Sequence, residues 1–174
     1  MRSTALTLLF ASFIVTPALA APPHVHGVAL LDVAIDGTTL SLHLDTPLDN
    51  LVGFEHAAYN PAQKAALDKM VAQLNRPLEL FIPTPSAECT PQKPNLVSAV
   101  LEPAKKAAAA PHGHVHADMD ADFVFQCKQP QNLQGMEVRL IPVFPRTHKV
   151  TVQIAGPKGQ SATVLDSGNS SVRW

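Results

Sequence analysis

Histidine and aspartate occupy every second position in one short stretch of the sequence, PHGHVHADMDAD. The alternating residues are His112, His114, His116, Asp118, Asp120 and Asp122. Imidazole nitrogen and carboxylate oxygen are ligands for divalent cations such as zinc, and this spacing places them on one side of an extended chain. The pattern therefore predicts a metal-binding segment, in which the three histidines and the first two aspartates supply ligands.

This histidine segment should bind its metal weakly and exchangeably. Ordering a flexible loop around an ion costs conformational entropy, which lowers the affinity relative to a preformed site. Such binding suits capture and transfer of an ion better than permanent retention. Zinc fits an imidazole-rich site, and copper(II) and nickel(II) fit it too, so the sequence leaves the metal open. The alternative is a polar low-complexity loop without a function of its own.

A second histidine pair, His24 and His26, repeats the two-residue spacing near the start of the chain. An HxH motif in an exposed strand is often only a solvated face, so metal binding and a purely structural role are both open. Pro22 and Pro23 precede the pair, and proline has no amide hydrogen. This argues against the usual amino-terminal copper or nickel site, which needs ionisable backbone amides before its histidine.

Glu55 and His56 end the stretch PLDNLVGFEH, in which Gly53 can take a positive φ. The pair should lie at the edge of a rigid element, as a metal site or as a hydrogen-bond network before a helix. If His24 and His26 fold near this pair, the three histidines and Glu55 make a tighter, preformed site. The other two histidines, His43 and His148, are interpreted as ordinary strand residues.

The start of the chain predicts export. Residues 1–20 have the pattern of a secretory signal peptide, with an apolar run over residues 6–15 and small residues at Ala18 and Ala20. The apolar run is too short to span a bilayer. We therefore expect no direct membrane insertion and a mature part, residues 21–174, that forms a single domain.

Cys89 and Cys127 are the only cysteines of the sequence. An even number in an exported chain favours a disulfide over a metal thiolate pair. The bond would close a loop that contains the histidine segment. The formal net charge is −1 and the basic residues are scattered, so nucleic acid and anionic membrane surfaces are not expected as partners.

Alternating apolar residues on both sides of Asp36 and Gly37 predict a β-hairpin. If these two are the turn residues, Val33 faces Leu40, and a longer turn shifts the pairing by two positions without exchanging the faces. The face opposite to the apolar one then carries His24, His26, Asp32, His43 and Asp45.

A helix is predicted next, with Asn60 as N-cap, Pro61 at the first helical position and Gln63 at the third. An apolar stripe at helical spacing follows, and the helix should end near Asn75.

Further β-type runs cover residues 78–82, 96–102, 122–127, 136–144, 148–155 and 162–166. Many short strands with one helix predict a mainly β single domain. It would be a sandwich or a curved antiparallel sheet with the helix packed on it. Residues 103–120 lack apolar periodicity, which predicts a mobile insertion rich in alanine and histidine between two strands.

The stretches HVHGVALLDVAIDG and LSLHLDTPLDNLVGFEHA, followed by a helix and a histidine-rich interior segment, resemble the ZrgA-type family of zinc-regulated periplasmic proteins. The resemblance covers nearly the whole mature chain, and LDNLVGFEHA is its most specific part. It implies a Gram-negative periplasmic zinc-binding protein that works with an ABC-type zinc uptake system and is made under zinc starvation.

Two other functions compete with zinc capture. A zinc-dependent hydrolase would need a catalytic constellation, and no HExxH motif or other recognisable arrangement supports one, so we expect that the protein is not an enzyme. An interaction module with a mainly β scaffold and incidental histidines is the third possibility.

Overall fold

The computed structural model describes residues 25–101 and 117–174. The strands in these ranges are β1 (Val28–Asp36), β2 (Thr39–Pro47), β3 (Phe81–Pro83), β4 (Cys89–Pro91), β5 (Asn95–Val97), β6 (Asp118–Cys127), β7 (Gly135–Val138), β8 (Lys149–Gly156), β9 (Gly159–Leu165) and β10 (Ser171–Arg173). The α-helices there are α1 (Leu48–Val52), α2 (Pro61–Leu74), α3 (Pro77–Leu80) and α4 (Leu140–Val143). The mainly β class that the sequence predicts is confirmed.

β1 and β2 form the predicted hairpin with a different register. The turn residues are Gly37 and Thr38, and not Asp36 and Gly37. The pairing therefore shifts by two positions, and Val33 lies opposite Leu42. Gly37 has a φ of +54° at the first central turn position, a conformation that favours glycine. A shift of two leaves every side chain on its predicted face.

β1 lies in the middle of a seven-stranded sheet with the order β4-β6-β2-β1-β8-β9, and β5 also pairs with β6. β1 and β8 run parallel, whereas the other neighbours run antiparallel. The large sheet is therefore mixed, and the prediction of an antiparallel sheet is wrong at this one pairing. The sequence does not reveal this pairing, because a parallel pair needs a long crossover, which here is all the chain between β1 and β8.

The hydrophobic core lies between the large sheet and a second layer. β10, β7 and β3 form a three-stranded antiparallel sheet. Phe81 of β3 meets Phe123 of β6 edge to face, with ring centroids 4.9 Å apart. α2 buries Leu67, Met70 and Leu74 in the same core. Two sheets and a helix thus share one core, which fits the predicted sandwich or curved sheet with a packed helix.

α2 begins and ends where the sequence predicts. The side chain of Asn60 accepts a hydrogen bond from the N–H of Gln63 at 2.9 Å. The side chain of Gln63 in turn accepts one from the N–H of Tyr59 at 2.8 Å. Pro61 is the first helical residue and Asn75 the C-cap. These bonds stabilise the helix start, whose first N–H groups have no partner within the helix.

Two predicted strands are partly helical. Pro77 begins α3, so β3 starts only at Phe81 instead of residue 78. The predicted strand over residues 136–144 divides into β7 and α4. Both helical turns are short apolar runs, in which hydrophobic periodicity cannot distinguish a helix from a strand.

The strand β6 begins at Asp118, four residues earlier than predicted. Residues 118–120 of the predicted insertion therefore belong to the large sheet, while residues 103–116 lie outside the described ranges. Cys89 and Cys127 form the predicted disulfide and are direct partners in the pairing of β4 with β6. The bond fastens the three-residue strand β4 to the large sheet.

Candidate metal-binding site

The structure describes some of the predicted metal ligands and not others. His26, His56, Asp118 and Asp120 lie in the described ranges. His24, His112, His114 and His116 lie outside them, as does the predicted signal peptide.

A buried asparagine on α1 fixes the chain just before β1. Asn50 accepts a hydrogen bond from the N–H of Gly27 at 2.6 Å through its Oδ1. Its Nδ2 donates to the carbonyl of Val28 at 2.9 Å and to the hydroxyl of Thr46 at 2.8 Å. Asn50 is inaccessible to solvent, so these bonds replace the water that its amide would otherwise bind. They hold His26, the residue before Gly27, next to α1.

α1 ends at Gly53, which has a φ of +86° and forms a left-handed cap. Beyond this cap, Glu55 Oε1 lies 2.7 Å from Nε2 of His26. The Glu55 side chain is 11% exposed and that of His26 59% exposed. An enclosed carboxylate thus holds an imidazole that remains open to solvent. A divalent cation can replace the proton that such a pair shares.

His56 follows Glu55 and has a fixed ring. The ring stacks on Phe54 and on Tyr59, with centroid separations of 5.0 and 4.5 Å. Nδ1 of His56 lies 2.9 Å from the carbonyl oxygen of Ala57, and it must be the donor because a carbonyl only accepts. In the neutral ring Nε2 therefore carries the lone pair that a metal needs.

An arginine ties α1 to the start of β8. Nη2 of Arg146 donates to the two carboxylate oxygens of Asp49 at 2.9 and 2.8 Å, and its Nε donates to the Asp49 carbonyl at 3.0 Å. This end of the large sheet is called the α1 edge below, and it comprises residues 26–28, 48–56 and 146–148. It is a rigid platform for His26, Glu55 and His56.

The second described range, which starts at Ala117, begins at the α1 edge. The N–H of Leu48 donates to the carbonyl of Ala117 at 2.9 Å, and Asp118 pairs with Pro47. Ala117 is buried. His116, the last histidine of the histidine segment, directly precedes Ala117 in the sequence, so the segment is joined to the fold beside α1.

Asp118, Asp120 and Asp122 lie on the outward face of β6, because the residues between them are fully buried. Asp120 pairs with Asp45 of β2, and Asp122 pairs with His43. Burial raises the pKa of Asp120, and the neighbouring Asp45 carboxylate raises it further. The outer face, as we call this polar side of β2 and β6, thus concentrates negative charge.

His43 bridges this cluster of aspartates. Its Nδ1 lies 2.8 Å from Asp122 Oδ1, and its Nε2 lies 3.9 Å from Asp120 Oδ1. Asn95 donates to the other oxygen of Asp122 at 3.1 Å. The hydrogen bond to Asp122 raises the pKa of His43, and the bonds from His43 and Asn95 lower the pKa of Asp122. The imidazole is thereby oriented by a carboxylate that is itself held in place.

Potential ligands are thus gathered in two places. Within residues 25–101 and 117–174, no three histidine, cysteine, aspartate or glutamate side chains already converge to hold a metal ion. At the α1 edge, His26, His56 and Glu55 offer imidazoles and a carboxylate, and the outer face offers His43 among carboxylates. Completing either site needs ligands from the rest of the chain, side-chain movement or water.

The sequence over residues 23–174 matches the family described as ZrgA family zinc uptake protein. The chain belongs to the ZrgA family. The resemblance carried by the β1, β2 and α1 sequences is thereby confirmed. A search of the curated proteins found no match. Membership of the ZrgA family links the chain to zinc uptake, and with the disulfide it indicates an extracytoplasmic protein.

No helix in the two described ranges combines the length and apolar character needed to cross a bilayer.

Sequence reasoning missed two features of these sites. The hairpin pattern places His43 outward, but nothing local in the sequence indicates that β6 pairs with β2 and brings Asp122 beside it. Asn50 follows the polar residue Asp49, and its burial depends on the packing of α1 across the start of β1. The apolar residues that flank Asp49 and Asn50 in LDNLV are the one sequence signal that could have indicated it.

Proposed function

We propose that this protein is a periplasmic zinc-binding protein that captures zinc and supplies it to an ABC-type zinc uptake system. The match to the ZrgA zinc uptake family over residues 23–174 carries the proposal. The disulfide supports the location, because such bonds persist in oxidising compartments. Copper(II) and nickel(II) bind similar ligand sets and are the competing ions to test.

The α1 edge is the tighter zinc site in this proposal. His26, Glu55 and His56 belong to one rigid platform, and Nε2 of His56 is free to coordinate in the neutral ring. His24 stands two residues before His26 in the sequence and is proposed as a further ligand. A preformed platform lowers the entropy cost of binding, which favours affinity.

The histidine segment is the collecting arm in this proposal. His112, His114 and His116 supply its imidazoles, and Asp118 supplies a carboxylate where the segment enters β6, whereas Asp120 lies farther along that strand on the outer face. An extended chain spans at most about 3.5 Å per residue, so residues 111–116 can reach roughly 20 Å from Ala117. The arm is therefore long enough to deliver zinc to the α1 edge.

Zinc titration of the mature protein, residues 21–174, by calorimetry with a competing chelator tests the proposal. We expect micromolar or tighter binding that releases protons and weakens below about pH 6, because imidazole must be neutral to coordinate. Absence of binding at micromolar zinc would overturn it.

Variants assign the sites. The double change His26→Ala and His56→Ala should abolish the tightest step, and removal of residues 111–116 should lower the number of ions bound while that step remains. The deletion stops at residue 116 because β6 begins at Asp118. Gln131→Ala is the control, since it removes an exposed polar side chain that lies outside both sites. Equal affinity of the double variant and the control would refute the α1-edge site.

Delivery and catalysis need separate experiments. Cells that lack the protein should take up less zinc under zinc limitation, and the double variant should restore uptake less well than the wild type. Normal uptake without the protein would contradict delivery.

We also propose that the protein is not an enzyme, and a hydrolytic activity that a chelator abolishes would contradict this.

A further inference from the structure

The outer face of the large sheet holds a histidine whose two ring nitrogens meet different carboxylates. Nδ1 of His43 is hydrogen-bonded to Asp122, whereas Nε2 faces Asp120 without being within hydrogen-bond distance. A carboxylate that accepts from one imidazole nitrogen and leaves the other toward the metal is the common support of a zinc-bound histidine. Asn95 holds that carboxylate in turn.

We propose that His43 and Asp120 bind a zinc ion on the outer face, at a second site separate from the α1 edge. This inference rests on the proposed function in taking zinc as the cation. His43 lies four residues along β2 from Pro47, which borders the α1 edge, and strand geometry makes that roughly 13 Å. The two sites therefore do not share an ion.

The separation of the two donor atoms suits one metal ion. Zinc bonds to imidazole nitrogen and carboxylate oxygen are about 2.0–2.2 Å long, so two ligands of a tetrahedral ion stand roughly 3.3 Å apart. Nε2 of His43 and Oδ1 of Asp120 are 3.9 Å apart. A side-chain movement of about half an ångström closes the difference. Asp45, the cross-strand partner of Asp120, and water can fill the remaining positions.

Charge and access favour a cation at this place. Asp45 pairs with Asp120 across the strands, and Asp118 and Asp122 lie two residues to either side of Asp120 on the same face, so their negative charges repel that of Asp120. A divalent cation removes this repulsion. His43 and Asp122 also line an open cavity of about 750 Å³ on the outer face, so a hydrated ion can enter.

Zinc titration of the mature protein, followed by calorimetry and by long-range ¹H–¹⁵N spectra of the histidine rings, tests this site. The ¹⁵N chemical shift of His43 Nε2 should change on zinc binding, while Nδ1 keeps its proton. His43→Ala should lower the number of ions bound by one. Asp122→Asn should keep the number at saturating zinc and weaken this step about 10–100-fold, because it alters only the support of the ring.

Gln153→Ala is the matched control, because Gln153 lies on the same face of the sheet and lines the same cavity. If His43→Ala and the control bind the same number of ions and the His43 ring signals stay unchanged, the second site is refuted while the proposed function stands. Unchanged tight binding in the His26 and His56 double variant, with His43 still responding to zinc, would refute the α1 edge instead. The ring spectra of the wild type decide the question even if a variant folds poorly.

Discussion

A hydrogen bond between His43 and Asp122 shifts the pKa values of both residues in opposite directions. The carboxylate favours the charged imidazolium, and the imidazolium favours the charged carboxylate. Each shift links protonation to folding, since the partner is lost when the chain unfolds. The pair therefore stabilises the fold only where both residues are charged.

Metal-free protein should lose a small part of its free energy of unfolding as the pH rises above 6.5. The folded pKa of His43 lies above 6.5, so the contribution is complete below 6.5 and disappears as the pH rises through the folded value. For Asp122 the contribution is complete above 3.8 and disappears as the pH falls through its lowered pKa. The side chains are 46% and 50% exposed, so the effect should stay below about 1 kcal/mol.

Urea unfolding in chelator between pH 5 and 8 measures this effect. His43→Gln should flatten the profile over that range, and Gln153→Ala, which removes a side chain that does not titrate from the same face of the sheet, should leave it like the wild type. Identical slopes for the wild type and His43→Gln would show that the pair contributes nothing to stability.

Among the elements, α1 is only five residues long, but it positions three neighbouring parts of the chain. It joins the end of β2 to the start of β1 through Asn50, and it is fixed to the loop before β8 by Asp49 and Arg146. Isolated helices of this length are unstable in water, so these contacts must hold it in place. The α1 edge can keep its geometry without metal because of them.

Asn50→Ala should destabilise the protein by about 1–3 kcal/mol, because it leaves the N–H of Gly27 and the carbonyl of Val28 without their buried partner. It should also weaken zinc binding at the α1 edge, since His26 loses its fixed position. Urea unfolding and zinc titration measure the two effects. Gln73→Ala on α2 is a control with an amide outside the site, and equal stability of the two variants would contradict the role of Asn50.

How far the sequence predicts the elements depends on whether their signals are local. The hairpin faces and the ends of α2 were predictable because alternation and the Asn60 cap act within a few residues. The start of β6 was not, because aspartate has low β propensity and Asp118 and Asp120 are in a strand only through pairing with β2. The pairing of His43 with Asp122 was hidden for the same reason.

At the level of the whole molecule, two sheets and α2 share one core, and the disulfide secures the edge of the larger sheet. The number of cysteines and the expected export made the disulfide predictable. The second sheet was harder to predict, because β3, β7 and β10 are short and gain their order from burial against the first.

Replacing both Cys89 and Cys127 by alanine should lower the free energy of unfolding by about 2–5 kcal/mol, the usual range for a native disulfide in a small exported domain. Urea unfolding measures the loss. Hydrogen exchange should show that amide protection falls first in β4, because this three-residue strand is held to β6 next to the disulfide. The amides of β1 and β2 should keep their protection. An unchanged midpoint and unchanged β4 protection would contradict this.

The parallel pairing of β1 with β8 has a consequence for the order in which the molecule is made. β1 starts at Val28 and its second neighbour only at Lys149, so the central strand gains both partners after most of the chain has been synthesised. Closing so long a loop is slow, because the chain loses conformational entropy before the contact between β1 and β8 can compensate for it. Until then the nascent polypeptide lacks the pairing of β1 with β8, so its two halves of the large sheet stay unjoined.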